Sequence, residues 1–369
     1  MFDLTGTPVL VLAVVGALLV VVAAVLVVVR RPGPPGLGRR VLTRAVPVAL
    51  LVVLAQVLAM TALALEVNDQ YLFYTSWADL TGHVSQGTAI RTGGLVDHGQ
   101  GRVEVMTVHA HRAGRDDQVL VWLPPEYDEP AYRTHRFPVV MFVAGQPSSP
   151  QIAFHQFDFA HVATQEIAAH RAAPFVAVFP TLMVSPPRDT ECTDVPGGPQ
   201  AESWLSRDVP AYVQQHLRVQ PPGAGWSAMG WSTGGFCAAK LVTSQASGQP
   251  RTFSSAVSFG GYYQPLEDHT TGSLFAGRAH LREENSPQWL YRRSGGLHGS
   301  RLLMVAGQQD KETWASTQRM IQVASGDPSV AHVAFPVGGH NYRNYASYLP
   351  AGLDWAARSW PRATGATGA

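Results

Sequence analysis

Apolar positions in this chain follow two different patterns, first long unbroken runs and then short periodic segments. Pro8 to Val29 and Ala45 to Leu65 contain no charged residue. About 20 apolar residues cross a bilayer's hydrocarbon as a helix, and both runs reach that length. The pattern predicts transmembrane helices at 8–29 and 45–65, which make residues 1–66 a membrane anchor. The first run is too long for a signal-peptide core, and no Lys or Arg precedes it. Residues 67–100 turn polar, glycine-rich and aromatic. Tyr71, Phe73, Tyr74 and Trp77 suit a membrane–water boundary, so this stretch is expected to be a juxtamembrane lead-in.

Beyond residue 100 the period shortens. Arg102 to Ala110 and Gln118 to Leu123 alternate apolar and polar residues, and the polar link 112–117 makes them an antiparallel hairpin. Pro138 to Ala144 and Pro174 to Pro180 are short continuous apolar runs, as expected of strands buried on both faces. Trp226 to Gly230, Phe253 to Phe259, Arg301 to Ala306 and Val330 to Pro336 read as further strands. Helical spacing falls at Phe157 to Ala172, Ala201 to Leu217, Thr233 to Thr243 and Thr313 to Ala324. Buried strands alternating with helices predict an α/β domain with a mostly parallel central sheet over 101–360 and a frayed tail at 361–369.

Composition averages these regions together. The chain is 46% hydrophobic and 14% charged, with a net charge of +1, values that taken alone would describe a plain globular protein. The charge balance excludes a strongly basic nucleic-acid binder. Where the charges fall is more informative. Arg30, Arg31, Arg39, Arg40 and Arg44 crowd the link between the apolar runs, whereas Asp3 precedes them and Glu66 and Asp69 follow. Short basic loops stay cytoplasmic, so the N-terminus and everything after residue 66 are expected outside the cytoplasm. Gln56 is the one strongly polar side chain in either run and is expected to hydrogen-bond between the helices. With no charge inside the membrane, a transporter or channel is not expected. The chain has two cysteines, Cys192 and Cys237, and an exported pair is a disulfide candidate.

The chemistry gathers around Gly230-Trp231-Ser232-Thr233-Gly234-Gly235, which follows a strand and opens a helix. G-x-S-x-G in that context exposes a serine hydroxyl on a sharp turn, with a helix N-terminus aimed at developing negative charge. Such a serine needs a base, and the base needs an orienting carboxylate, in the chain order Ser, Asp/Glu, His. His340, in Gly338-Gly339-His340-Asn341 after the last strand, is the candidate base, whereas His332 lies within that strand. The acid is expected just past the 301–306 strand, where Asp310 is the first candidate and Glu312 the alternative. An oxyanion hole needs backbone N–H donors. Thr233 supplies one. In Ala144-Gly145-Gln146-Pro147 the proline has no N–H, which leaves Gln146, with Gly145 as alternative. His109 and His111 share a strand face without a third ligand, so neither a metal nor an organic cofactor is expected.

These motifs, together with Glu202-Ser-Trp-Leu-Ser-Arg-Asp-Val-Pro210, make residues 100–358 similar to the putative esterase family of α/β-hydrolases, which includes esterase D-like enzymes and the antigen 85 mycolyltransferases. The anchored form resembles actinobacterial membrane esterases, and 25 Arg against 2 Lys suits a GC-rich genome. The resemblance implies an α/β-hydrolase fold and a triad of Ser232, Asp310 or Glu312, and His340. The expected function is an extracytoplasmic serine ester hydrolase working through an acyl-enzyme. Its expected partners are an ester substrate, such as an envelope lipid or glycan, and membrane lipid, with no role for nucleic acid. The alternatives are an acyltransferase acting on envelope glycans and a non-catalytic envelope protein on a hydrolase scaffold.

Overall fold

The computed structural model describes residues 7–30, 45–71, 96–110, 114–186, 188–248, 251–337 and 339–361. The basic link at 31–44, most of the lead-in, His111, Gly338 and the tail from 362 lie outside the described residues. The chain divides into two units, Met1–Ser85 and Gln86–Ala369.

The first unit is a pair of helices, α1 (Thr7–Arg30) and α2 (Val46–Tyr71). Within them Pro8–Val29 and Val46–Asn68 are long and apolar enough to cross a membrane. α2 runs past Leu65 because Glu66 to Tyr71 contains neither Gly nor Pro to stop it. The helices meet where Ala13, Ala62 and Leu65 form a buried cluster with Val9 and Leu10 packed against it, and Gly16 approaches Leu58. Gln56 was expected to bond across this pair, but it lies on the exposed side of α2.

The second unit is built on eight strands: β1 (Arg102–Ala110), β2 (Arg115–Leu123), β3 (Val139–Val143), β4 (Val176–Pro180), β5 (Gly223–Trp231), β6 (Phe253–Phe259), β7 (Arg301–Gly307) and β8 (Val330–Phe335). They form one sheet in the order β1-β2-β4-β3-β5-β6-β7-β8. β2 runs antiparallel to β1 and β4, and the other pairs are parallel. β3, β4 and β6 are buried along their whole length, which is why they read as apolar runs rather than alternations.

The helices of this unit are α3 (Pro150–Gln156), α4 (Phe159–Ala168), α5 (Ala201–Ser203), α6 (Val209–His216), α7 (Thr233–Ala246), α8 (Ala279–Glu284), α9 (Pro287–Ser294), α10 (Lys311–Val323), α11 (Tyr342–Ala346) and α12 (Leu349–Ala357). Two expectations are corrected here. The helix expected at 157–172 is the shorter α4, which starts only after Asp158, whose φ of 46° lies in the left-handed region and parts it from α3, a helix the apolar spacing does not predict. Ser149 caps α3 by accepting from the Ile152 N–H, and Pro150 follows it, a start signal present in the sequence. The helix expected at 201–217 is interrupted by a π turn at Trp204–Asp208. Pro210 has no N–H for the i→i−4 bond, so the hydrogen-bond ladder shifts there.

Candidate active site

The carboxyl ends of β3, β5, β7 and β8 lie at the same end of the sheet, outside which open α/β sheets bind ligands. Ser232 sits between β5 and α7 with φ 58° and ψ −122°, a conformation costly for a residue with a Cβ. Its neighbours explain how the turn closes. A Cβ on Gly234 would collide with the Val143 carbonyl, and one on Gly230 with the backbone of Gly234. Only glycines let β3, β5 and the start of α7 approach this closely.

The Ser232 hydroxyl lies 2.8 Å from His340 Nε2, and His340 Nδ1 lies 2.5 Å from Asp310 Oδ2. Asp310 occupies the N-cap position of α10, yet its side chain does not cap the helix and turns to the imidazole instead. The alternative acid, Glu312, lies exposed in the first turn of α10. Asp310 is 8% exposed. Burial raises its pKa, but hydrogen bonds to His340, Thr313 and Tyr345 and the imidazole charge outweigh it and hold the carboxyl below its ordinary value.

Several supporting residues were not found from the sequence. The Tyr345 hydroxyl donates to Asp310 Oδ2 at 2.7 Å and accepts the Gly307 N–H at 3.2 Å. Burial and the Asp310 charge raise the Tyr345 pKa, so the hydroxyl stays protonated and remains a donor. Trp231 stacks on His340, with ring centroids 4.8 Å apart, and on Tyr342 at 4.0 Å. Tyr342 donates to Ser148 in the loop after β3, tying that loop to the histidine loop. A sequence signal for this cluster exists. Asn341 caps α11 by accepting from the Asn344 N–H at 3.1 Å, and Tyr342 and Tyr345 share one helical face at i, i+3.

Thr233 is the first residue of α7, so its N–H has no intrahelical partner. The loop holding Gln146 lies against the serine: a Cβ on Gly145 would sit 2.9 Å from the Ser232 Cβ. Cys192 and Cys237 bring their sulfurs to bonding distance, with Cα atoms 5.5 Å apart. This pair ties the loop at 189–195 to α7, five residues after Ser232. His109 pairs with Asp116 at 2.8 Å.

Residues 110–362 match the putative esterase family. The chain belongs to this family. An uncharacterized protein of Corynebacterium glutamicum is 24% identical over 246 residues, covering 64% of this chain and 56% of the relative, so the chain spans about half the length of the curated relative it matches. Among solved structures, a ferulic acid esterase is 16% identical, with 70% of this chain and 98% of that chain covered and a TM-score of 0.58. An S-formylglutathione hydrolase from Agrobacterium tumefaciens is 16% identical, with 72% and 98% covered and a TM-score of 0.59. A fluorophosphonate-binding serine hydrolase of Staphylococcus aureus is 15% identical, with 70% and 98% covered and a TM-score of 0.57. At these identities the likeness is one of fold, and the fold is that of the α/β-hydrolases.

Proposed function

We propose that this protein is a membrane-anchored serine ester hydrolase whose catalytic domain, residues 101–360, works outside the cytoplasm. The observation that carries the reading is the unbroken hydrogen-bonded line from Ser232 through His340 to Asp310, with the serine on a strained turn at a helix N-terminus.

Ser232 Oγ attacks the ester carbonyl as its proton passes to His340 Nε2. Asp310 holds Nδ1–H, keeps the imidazole in the accepting tautomer and stabilises the imidazolium that forms. Tyr345 and the buried surroundings hold Asp310 in place. Negative charge gathers on the carbonyl oxygen, where the N–H groups of Thr233 and Gln146 receive it alongside the positive end of α7. Collapse of the tetrahedral species expels the alcohol, which takes the proton from His340 and leaves Ser232 acylated. Water, deprotonated by the same imidazole, attacks the acyl carbon and releases the acid.

Residues 1–66 serve as the anchor and 67–100 as the lead-in. The five arginines in the link between the helices support a cytoplasmic turn, and the Cys192–Cys237 pair suits an oxidising compartment. A fluorophosphonate probe is expected to label the wild type and not Ser232→Ala. Folded wild type that stays unlabelled refutes the catalytic reading. A reporter fused after residue 369 is expected to behave as extracytoplasmic, and cytoplasmic reporter activity would reverse the orientation.

A further inference from the structure

Outside the line of Ser232, His340 and Asp310, buried polar chemistry concentrates in the loop after β4. Asp189, Thr190, Glu191 and Thr193 are each no more than 3% exposed. The loop is held from several sides. The Cys192 sulfur meets that of Cys237 on α7, and Lys240 Nζ donates to the Cys192 carbonyl at 2.5 Å. The Asp189 N–H donates to the Thr270 carbonyl at 3.1 Å, and Arg188 donates to the carbonyls of Thr271 and Ser273, both at 2.8 Å. Glu191 and Cys192 have φ of 47° and 51°, a region side-chain-bearing residues seldom occupy, so the surrounding contacts hold the Glu191 carboxyl in place against a backbone cost.

That carboxyl is aimed at the nucleophile turn. Glu191 Oε2 accepts the Leu266 N–H at 3.2 Å, and Oε1 makes a short hydrogen bond with the Tyr262 hydroxyl. The same hydroxyl lies 3.3 Å from Thr233 Oγ1. The Tyr262 ring is fixed by stacking on Phe236 of α7, with centroids 5.0 Å apart. A continuous line therefore runs from Glu191 through Tyr262 to the residue directly after Ser232.

We propose that Glu191 is a positioning residue for ester cleavage, acting through Tyr262 to hold Thr233, the proposed oxyanion donor, in register with Ser232. The proposal rests on the serine-hydrolase reading of the site. The Tyr262 hydroxyl has one proton and two neighbours, so the line has a direction. With Glu191 neutral, its proton lies on Oε1, since Oε2 already accepts from Leu266. Glu191 then donates to Tyr262, and Tyr262 donates to Thr233 Oγ1. With Glu191 ionised, the Tyr262 proton turns to the carboxylate, and a negative charge stands two hydrogen bonds from the position where the oxyanion forms. That charge opposes the transition state.

The groups facing Glu191 are Asp189 on its own loop, Tyr262 after β6 and Lys240 on α7, with Asp268 acting on Asp189. Burial, and next the Asp189 charge, push the Glu191 carboxyl up to about 8, which favours its protonated form near pH 7.

The test is the pH dependence of p-nitrophenyl acetate hydrolysis by the full-length protein in detergent, with fluorophosphonate labelling in parallel. Wild-type kcat is expected to fall as pH rises through about 8. Glu191→Ala and Tyr262→Phe are expected to lose about tenfold in kcat with KM changed less than about twofold, because the line serves the transition state rather than ground-state binding. Glu191→Gln, neutral at every pH and able to donate to Tyr262, is expected to recover most of the kcat lost in Glu191→Ala and to lack the alkaline fall. Being nearly isosteric, it keeps the comparison open even if the alanine variant fails to fold. A wild-type profile flat to about pH 10, or an alkaline fall in Glu191→Gln equal to the wild type's, overturns the proposal. Labelled wild type with an insensitive Glu191 overturns this proposal alone, whereas unlabelled wild type overturns the underlying reading and this proposal with it.

Discussion

The rings of Trp231 and His340 stack nearly parallel, 24° apart in plane, so the residue just before the candidate nucleophile forms a wall for its candidate base. The indole limits the imidazole to orientations in which Nε2 faces Ser232 and Nδ1 faces Asp310. Trp231→Ala is expected to lower kcat about tenfold while Trp231→Phe keeps most of the activity, in line with the ~1 kcal/mol of an aromatic pair beyond its area. Steady-state kinetics on both variants check this. Equal losses would mean that the indole acts through something other than its stacked face.

Tyr345 bridges Asp310 and the end of β7. Tyr345→Phe removes one donor to the carboxylate and leaves the ring packed against Phe335. A kcat loss of about three- to tenfold is expected, as for one hydrogen bond to a charged group. Asp310→Asn removes the charge and permits the wrong imidazole tautomer, for which a loss of about 10⁴ is expected. If Glu312→Gln caused the larger loss, the assignment of the acid would be wrong.

Lys240 is fully buried, ion-paired with Glu202 at 3.1 Å and bonded to the Cys192 carbonyl and Asn285. Removing one partner of such a group strands the others. Lys240→Ala is expected to cost about 3–5 kcal/mol in chemical denaturation. Lys240→Met combined with Glu202→Gln should cost less, since neither charge is left uncompensated. A single variant as stable as wild type would contradict the picture of a buried cation fastening the 189–195 loop.

Stability should depend on pH through two buried acids. Glu191 lies at about 8 and Asp189 at about 6 in the folded chain, against ordinary values of 4.5 and 3.8. The folded state holds protons that the unfolded chain has already released. Their stabilising contribution is complete below the ordinary values. It is lost as pH rises, over 3.8 to about 6 for Asp189 and over 4.5 to about 8 for Glu191. The thermal midpoint of Glu191→Gln is therefore expected to exceed that of wild type increasingly from pH about 5 to about 8. Parallel curves would show that Glu191 does not titrate across this range.

Most of the fold was legible because its signals are local. Strands buried on both faces read as short apolar runs, and the β1–β2 hairpin read as an alternation. The runs at 8–29 and 45–65 needed only their length. The Ser232 turn could be read because its glycines are adjacent in the chain, and His340 because it follows the last strand. Asp158 and Pro210 shifted the helices around them through backbone geometry that the apolar spacing does not record. The helices at 279–294 and 342–357 are short and carry little apolar periodicity of their own, Ala279–Glu284 burying no residue at all.

By itself, then, the sequence determined the two apolar helices, the α/β order, the serine turn and a choice of two acids, because each depends on residues close together in the chain. The tertiary structure decided what depends on distant residues meeting. It brought Asp310 and not Glu312 to His340 across 30 positions, set Tyr345 behind that carboxylate, and pointed Glu191 through Tyr262 at the residue after Ser232. Hydrogen bonds of this kind have no period and no spacing, and they exist only once the strand order has brought the carboxyl ends of β4 to β8 to one end of the sheet.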